Sequence, residues 1–336
     1  MNINDIAQKA RVSTATVSRV INNSALVKPE TRDKVLEIIE AYGYTPSAVA
    51  KNLSVQTTHN VGVIFPDIEN PFFSSALIGV TQVAERQQYN VSFFNSDETP
   101  EKEQGFLNVI RQQRMDGVII SPADTYDSNT RLMLEDFERQ GVAVVLLDRD
   151  LEGGAFSLVR AEDQQGSYSA VKQLILEGHE RIAIIVGSPS NRPVFDRFAG
   201  YRKAMEEARI PIRSEYVVRA DQKSEIAYKV TETLMHLSEP PTAIFTCNNM
   251  MTLGCLRYCM EHGVAIGKDV ALISFDDIEV LRDIGYGLSV VTRSSRGMGR
   301  VAMELLLKRL ANADNEKETV VVPTQLILRG SEKLRD

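Results

Sequence analysis

The chain has no run of about 18 consecutive apolar residues, so nothing in it reads as a membrane span. Its opening, MNINDIAQKA, has neither a basic leader nor an apolar core. No secretory signal is read, and a cytoplasmic protein is expected. Three cysteines in 336 residues, an odd count, argue against a disulfide framework and suit a reducing compartment. There is also no glycine-rich phosphate loop, nucleophile elbow or HExxH zinc motif, so no catalytic residue, no cofactor and no metal is assigned. Apart from the charged turn ADNEKE at residues 313–318, no segment is of low complexity.

What remains is an ordinary globular composition, 43% hydrophobic and 25% charged, long enough for two or three domains. The net charge of -7 is unevenly spread. Residues 1–60 carry seven Lys/Arg against five Asp/Glu, a balance of +2, which leaves 31 against 40, or -9, for the rest. A mildly basic head therefore sits on an acidic body, and local charge is what docks on phosphate.

Within that head, Asn2 followed by Asp5 reads as a capping box, and Ile3, Ile6, Ala7 and Ala10 have helical spacing. Arg11, Val12 and Ser13 break the pattern. Ser13 is a good N-cap for a second helix whose apolar positions are Ala15, Val17, Val20 and Ile21. A third helix starts at Pro29, buries Val35, Ile38, Ile39 and Tyr42, and ends at Gly43. Two short helices joined by a three-residue turn make a helix-turn-helix. Pro46 to Leu53 is a fourth, marginal helical stretch, and Ser54 to Asn60 a polar linker.

From Val61 the text changes. VGVIF, NVSFFN, DGVIIS, VAVVLLD, RIAIIVG, TAIFTCN and VALISFD are seven short strand-like runs separated by amphipathic stretches. Such alternation means parallel sheets covered on both faces, and the number of runs suggests two similar lobes.

The head, INDIAQKARVSTATVSRVINNSALVKPETRDKVLEIIEAYGYTPSAVAKNL, closely resembles that of the lactose-repressor/galactose-repressor (LacI/GalR) family. The body is similar to ribose-type periplasmic sugar-binding proteins in NPFF, MDGVIIS, LLDRD, LEGHERIAIIVG, RFAGYRKAM and VALISFDD. The resemblance spans the whole chain. It implies a helix-turn-helix DNA-binding domain at 1–45, a hinge helix and linker at 46–60, and a type I periplasmic-binding-protein-like effector domain at 61–336. That domain would be two doubly wound α/β lobes: an N-lobe of about 61–160 and 292–321, and a C-lobe of about 161–291 and 322–336.

Ser13, Thr14 and Ala15 open the second helix, where short side chains let a recognition helix approach base edges in the major groove. Thr14 can bond a base edge or touch a thymine methyl, Ala15 offers a methyl, and Arg19 can fork onto guanine or phosphate. Thr16 and Ser18 are candidates for phosphate oxygens, and Asn22 is grouped with them. The resemblance places Thr14, Ala15 and Arg19 on base-reading positions. It also makes Leu53 the hinge leucine inserted between base pairs, with Ser47, Ala48, Ala50 and Lys51 beside it in the minor groove. Arg11 departs from the glycine many members carry in the turn.

In the body, polar and aromatic residues collect just beyond strand ends, where an open α/β lobe binds ligands. Asp67, Asn70, Phe72 and Phe73 follow the first run, Asp148 and Arg149 the fourth, Asn248 the sixth and Asp276 the seventh. Arg197 follows GSPSNRPVFD. By resemblance to ribose-type pockets, Phe73, Asp148, Arg149, Arg197, Asn248 and Asp276 contact the ligand. Arg293 replaces a neutral amide common in ribose-type binders, and Asn249 a common Asp. Arg149, Arg192, Arg197 and Arg293 would then crowd the cleft, which points to a sugar bearing an acid or phosphate group.

The reading is a homodimeric repressor of near-palindromic operator DNA, controlled by a small carbohydrate-type effector. No leucine heptads follow SEKLRD, which favours a dimer over a tetramer. The alternatives are a solute-binding protein of a transport system, or a regulator of the same family using a nucleoside, a purine or a protein corepressor. An enzyme on this scaffold is the weaker third choice. Cys255, Cys259 and His262 share a helix face with Cys247 upstream, but the spacing is not that of a zinc site, and His179 reads as structural.

Overall fold

The computed structural model describes residues 2–21, 26–43, 57–221, 223–312 and 316–334. The chain divides into two units, Met1–Thr58 and His59–Asp336.

In the first unit, α1 (Ile3–Ala10) is held by the expected capping box. Asn2 Oδ1 accepts from the Asn4 and Asp5 amides, and Asp5 Oδ2 accepts from the Asn2 amide at 2.8 Å. Helix α2 (Thr14–Ile21) starts after Ser13, whose Oγ accepts from the Thr16 amide at 3.1 Å. Helix α3 (Pro29–Ala41) begins at its proline. Ile6, Ala7, Ala10, Val17, Val20 and Val35 form the small core. Arg11 takes the left-handed conformation at φ 55°, the one a glycine adopts most readily. Tyr42 corrects the expectation of burial: it is 54% exposed, with Lys9 Nζ lying 4.3 Å above its ring.

The second unit holds two six-stranded sheets of matching design. In the N-lobe these are β1 (Asn60–Phe65), β2 (Asn90–Asn95), β3 (Gly117–Ile120), β4 (Ala143–Leu147), β5 (Ser157–Ala161) and β11 (Thr319–Val322), in the order β11-β5-β4-β3-β1-β2. The C-lobe comprises β6 (Ile182–Val186), β7 (Val217–Arg219), β8 (Ala243–Thr246), β9 (Ala271–Phe275), β10 (Ser289–Thr292) and β12 (Gln325–Ile327), in the order β12-β10-β9-β8-β6-β7. All described pairings of these strands are parallel except β10 with β12. Strand β1 begins at Asn60, inside the segment read as linker.

The helices α4 (Pro71–Arg86), α5 (Pro100–Gln112), α6 (Ser128–Arg139) and α12 (Ser295–Ala311) cover the N-lobe sheet. Helices α7 (Asp163–Leu176), α8 (Arg192–Glu207), α9 (Ser224–Met235), α10 (Asn249–Glu261) and the short α11 (Glu279–Asp283) belong to the C-lobe. The chain passes between lobes three times: from β5 to α7, from β10 to α12, and from β11 to β12. Central strands such as β4, β6 and β9 are buried at every position, as two-sided covering requires. Helices α4 and α12 cross at a pair of glycines. A Cβ on Gly299 would lie 1.9 Å from the Ala76 carbonyl oxygen, and one on Gly79 2.1 Å from that of Arg296.

Candidate functional site

On α2, Ser13, Thr14, Ala15 and Arg19 are exposed, while Val17 and Val20 point into the core. The helix therefore presents a short-chained outer face ending in one cation. Ala15, apolar but expected on the base-reading side, lies on this outer face. Ser18 is half-buried. Thr16 is also half-buried, and its hydroxyl is engaged 2.9 Å from that of Ser13, which stiffens the helix start. Asn22, Ser47, Ala48, Ala50, Lys51 and Leu53 lie outside the described residues.

The second unit gathers Asn70, Phe72, Phe73, Asp148, Arg149, Arg197, Asn248, Asp276 and Arg293 around one cleft between the lobes, with about 20 Å³ of free space. All nine are buried. That space holds about one water molecule, so a ring enters only when the side chains or lobes move apart. Asp67, by contrast, is half-buried and does not line the cavity. Nor does Arg192, whose half-exposed side chain bonds Asp196 at 2.9 Å and faces an outer groove with Tyr126 and Phe195.

The lobes' internal likeness explains how residues 200 positions apart converge. Asn70 follows β1 and caps α4, accepting the Phe72 amide at 3.0 Å. At the equivalent place in the other lobe, Asn191 follows β6 and caps α8, accepting the Val194 amide at 3.3 Å. Asn248 follows β8 and caps α10 through the Met251 amide at 2.7 Å. Asp148 after β4 and Asp276 after β9 form a second equivalent pair, and both hold positive φ, 67° and 70°. Non-glycine residues in that region are strained, and strain of this kind collects at functional sites.

Capping employs the asparagine oxygens and leaves the amide nitrogens. Nδ2 of Asn191 and Nδ2 of Asn248 are buried in the cavity wall with no hydrogen-bond partner among the described residues. Unpaired buried donors cost free energy unless a ligand or water satisfies them.

The cations have an opposite fate. Arg149 forks onto Glu98 at 2.6 and 2.7 Å and gives a further bond to the Pro122 carbonyl. Arg197 bonds Asp163 at 2.8 Å and the Cys247 carbonyl, and stacks 3.8 Å above Phe275. Arg293 lies between Asp276, at 2.9 Å, and Asp148, over the Phe72 ring at 3.9 Å. Three guanidiniums thus face four carboxylates, with none left over to meet an acidic ligand. This corrects the expectation of free arginine forks, because Asp163 and Glu98 were not recognised from the sequence.

Burial pushes the Asp148 carboxyl upward, but the Arg293, Arg197 and Arg149 guanidiniums overcome it and hold it below its ordinary value. For Asp163 burial outweighs Arg197 and Arg293, and the carboxyl stays above its ordinary value. Cys247, also in the wall, has its thiol pushed up to about 12 by burial, so it is an inert apolar surface. Cys255 and Cys259 are likewise buried free thiols, and no group of three or more His, Cys, Asp or Glu among the described residues is arranged to hold a metal.

Asn191 was the polar residue missed at the cavity itself, along with Pro193, Val194, Cys247 and Met251 of its apolar wall. Its signal was present, since NRPVF repeats the pattern of NPFF one lobe later.

Residues 2–47 match the family model for bacterial regulatory proteins of the lacI family, and residues 171–332 that for a periplasmic binding protein-like domain. The HTH-type transcriptional repressor PurR of Histophilus somni is 33% identical over 331 residues, covering 98% of both chains. Catabolite control protein A of Priestia megaterium is 33% identical over 336 residues, covering 99% of both. Among solved structures, the complex of transcriptional regulator CelR with cellobiose superposes with a TM-score of 0.74 at 25% identity, over 98% of this chain and 99% of that one. No helix among the described residues is long and apolar enough to cross a membrane.

Proposed function

The chain belongs to the LacI family of bacterial regulatory proteins and is a transcriptional repressor rather than an enzyme, and from that premise we propose that a small, uncharged, oxygen-rich ligand of the sugar type sets its affinity for operator DNA. The observation that carries the effector class is the pair of unpartnered amide donors, Asn191 Nδ2 and Asn248 Nδ2, in a buried cavity walled by Phe72 and Phe73. Sugar hydroxyls accept from such donors while C–H faces lie on aromatic rings. The occupied arginines disfavour an acid or phosphate group. The cellobiose held by the CelR structure is consistent with a carbohydrate.

In this reading residues 1–45 dock on DNA, 46–60 are hinge and linker, and 61–336 bind effector and pair into a homodimer acting in the cytoplasm. The exposed Thr14, Ala15 and Arg19 face base edges, with Ser13, Thr16, Ser18 and Asn22 toward the backbone. Ser47, Ala48, Ala50, Lys51 and Leu53 serve the minor groove. A planar nucleobase is the second reading, because its carbonyls and ring nitrogens would meet the same donors between the same rings.

Gel-shift on the DNA upstream of its own gene, with and without ligand, tests the regulator. Calorimetry with neutral sugars, sugar acids, sugar phosphates and purine bases tests the effector. Retardation modulated by a neutral sugar supports the proposal. Tight binding only to anionic sugars overturns the effector class, and a purine as sole ligand selects the second reading.

A further inference from the structure

Arg293 does not present its guanidinium to the cavity as a free ligand-binding group would. Its Nε and Nη2 lie 2.9 and 3.3 Å from the two oxygens of Asp276, and its Nη1 bonds Asp148 and lies 3.9 Å from Asp163. Asp276 ends β9 in the C-lobe, whereas Asp148 ends β4 in the N-lobe. Arg293 itself stands one residue past β10, on the connection by which the chain passes from one lobe to the other. One buried cation is therefore shared by carboxylates of both lobes, at the pivot between them.

We propose that Arg293 is a tethered cation that occupies the acceptor side of the effector cavity and fastens the lobes across it before any ligand arrives. The geometry is that of a bound guanidinium ion: two oxygens of Asp276 on one edge, Asp148 on the other, and the Phe72 ring against the plane. The carboxylates that would otherwise receive ligand hydroxyls are taken, while Asn191 Nδ2 and Asn248 Nδ2 in the same lining are vacant donors. Arg293 thus determines specificity by subtraction, leaving a cavity that reads acceptor atoms. The other links between lobes are lighter. The Thr125 amide bonds the Ser190 carbonyl at 2.8 Å, and Arg192–Asp150 and Arg160–Asp196 are long, partly solvated pairs at 3.9 and 3.8 Å. With Asp148 buried and its charge held by arginines, the Arg293 link is screened least by salt.

The test needs no knowledge of the effector. Small-angle scattering of the ligand-free full chain is compared for wild type, Asp148→Asn and Arg293→Ala, each checked for a cooperative thermal transition by circular dichroism. Asp148→Asn takes the charge from the arm that reaches the N-lobe, leaving at most a neutral hydrogen bond there, and keeps the Arg293–Asp276 pair, so it remains informative if Arg293→Ala fails to fold. A larger radius of gyration for Asp148→Asn supports the latch, as does return of Arg293→Ala toward wild-type scattering in dilute guanidinium chloride but not in sodium chloride. A folded Asp148→Asn whose scattering superposes on wild type overturns it, whatever ligand the cavity takes.

Discussion

Single side chains in this protein carry double duties, and Asn191 separates them. Its oxygen caps α8 and its nitrogen is spare. Aspartate caps a helix as well as asparagine but has no N–H to give. Asn191→Asp should therefore leave the thermal midpoint near wild type while weakening neutral-ligand binding by roughly tenfold, about the worth of one buried hydrogen bond. Calorimetry and thermal shift on the same sample check both halves. Equal affinity would remove Asn191 from the ligand's contacts. Glu103 makes a second case. It is fully buried on α5, accepting from the Ala123 amide and the Thr130 hydroxyl, each at 2.9 Å. Burial pushes its carboxyl to about 7, against those two bonds and Arg149, with Asp127 adding to the rise. A carboxyl raised in the folded state binds its proton more tightly there than in the unfolded chain. Its contribution is full below pH of about 4.5 and declines as pH rises to about 7, by about 3 kcal/mol. Denaturant unfolding between pH 4.5 and 8 should show this decline, and Glu103→Gln should flatten it.

At the scale of helices and strands, steric fit separates glycines that look alike in sequence. Gly105 lies on the exposed side of α5 with open space where a Cβ would be, so Gly105→Ala should stabilise by roughly 0.5–1 kcal/mol through backbone entropy alone. Gly299 meets the Ala76 carbonyl oxygen, a backbone atom that cannot swing aside. Gly299→Ala must force α12 from α4 and should cost about 2 kcal/mol or more, read as a lowered denaturation midpoint. The same distinction shows why some elements were legible and others not. Six strands announced themselves because two-sided burial demands apolar runs rich in Val, Ile and Leu, as in β4 and β6, while the edge strand β2 showed through its Val91, Phe93 and Phe94. Strands β7, β11 and β12 sit at sheet edges with no fully buried residue, so their runs of three or four residues carry no such pattern. Strands β5 and β10 are interior but carry Ser, Arg or Thr where they lead into a crossing between lobes. Helix α2 was legible through its cap. Nine of the cavity's residues were legible by position after strands and by resemblance, whereas Asn191, Asp163 and Glu98 were not. The role of Asp163 and Glu98 exists only once Arg197 and Arg149 fold against them from 34 and 51 residues away.

For the whole molecule, control of DNA binding by an effector requires that the ligand distinguish two states of the repressor, with a coupling of typically 1 to 3 kcal/mol. The two lobes, joined by three connections and meeting around one cavity, supply such states. Changing a residue that shapes the effector cavity but lies outside the proposed DNA-reading surface should then abolish the response without abolishing binding. Asp276 meets that requirement. It lines the cavity, sits strained at φ 70°, and holds one edge of Arg293, while Thr14, Ala15 and Arg19 belong to a separately folded unit. Asp276→Ala removes Arg293's close C-lobe partner but leaves its bond to Asp148 and, 3.9 Å away, Asp163, so operator binding without effector should persist. Fluorescence anisotropy with a labelled operator duplex should give the wild-type dissociation constant without effector, and no shift on adding the effector that moves wild type. Arg19→Ala should do the reverse, weakening operator binding by about 1 to 3 kcal/mol with effector affinity unchanged. If Asp276→Ala lost operator binding as heavily as Arg19→Ala, the cavity would be a structural support of the DNA-bound state, and its ligand would not be the signal.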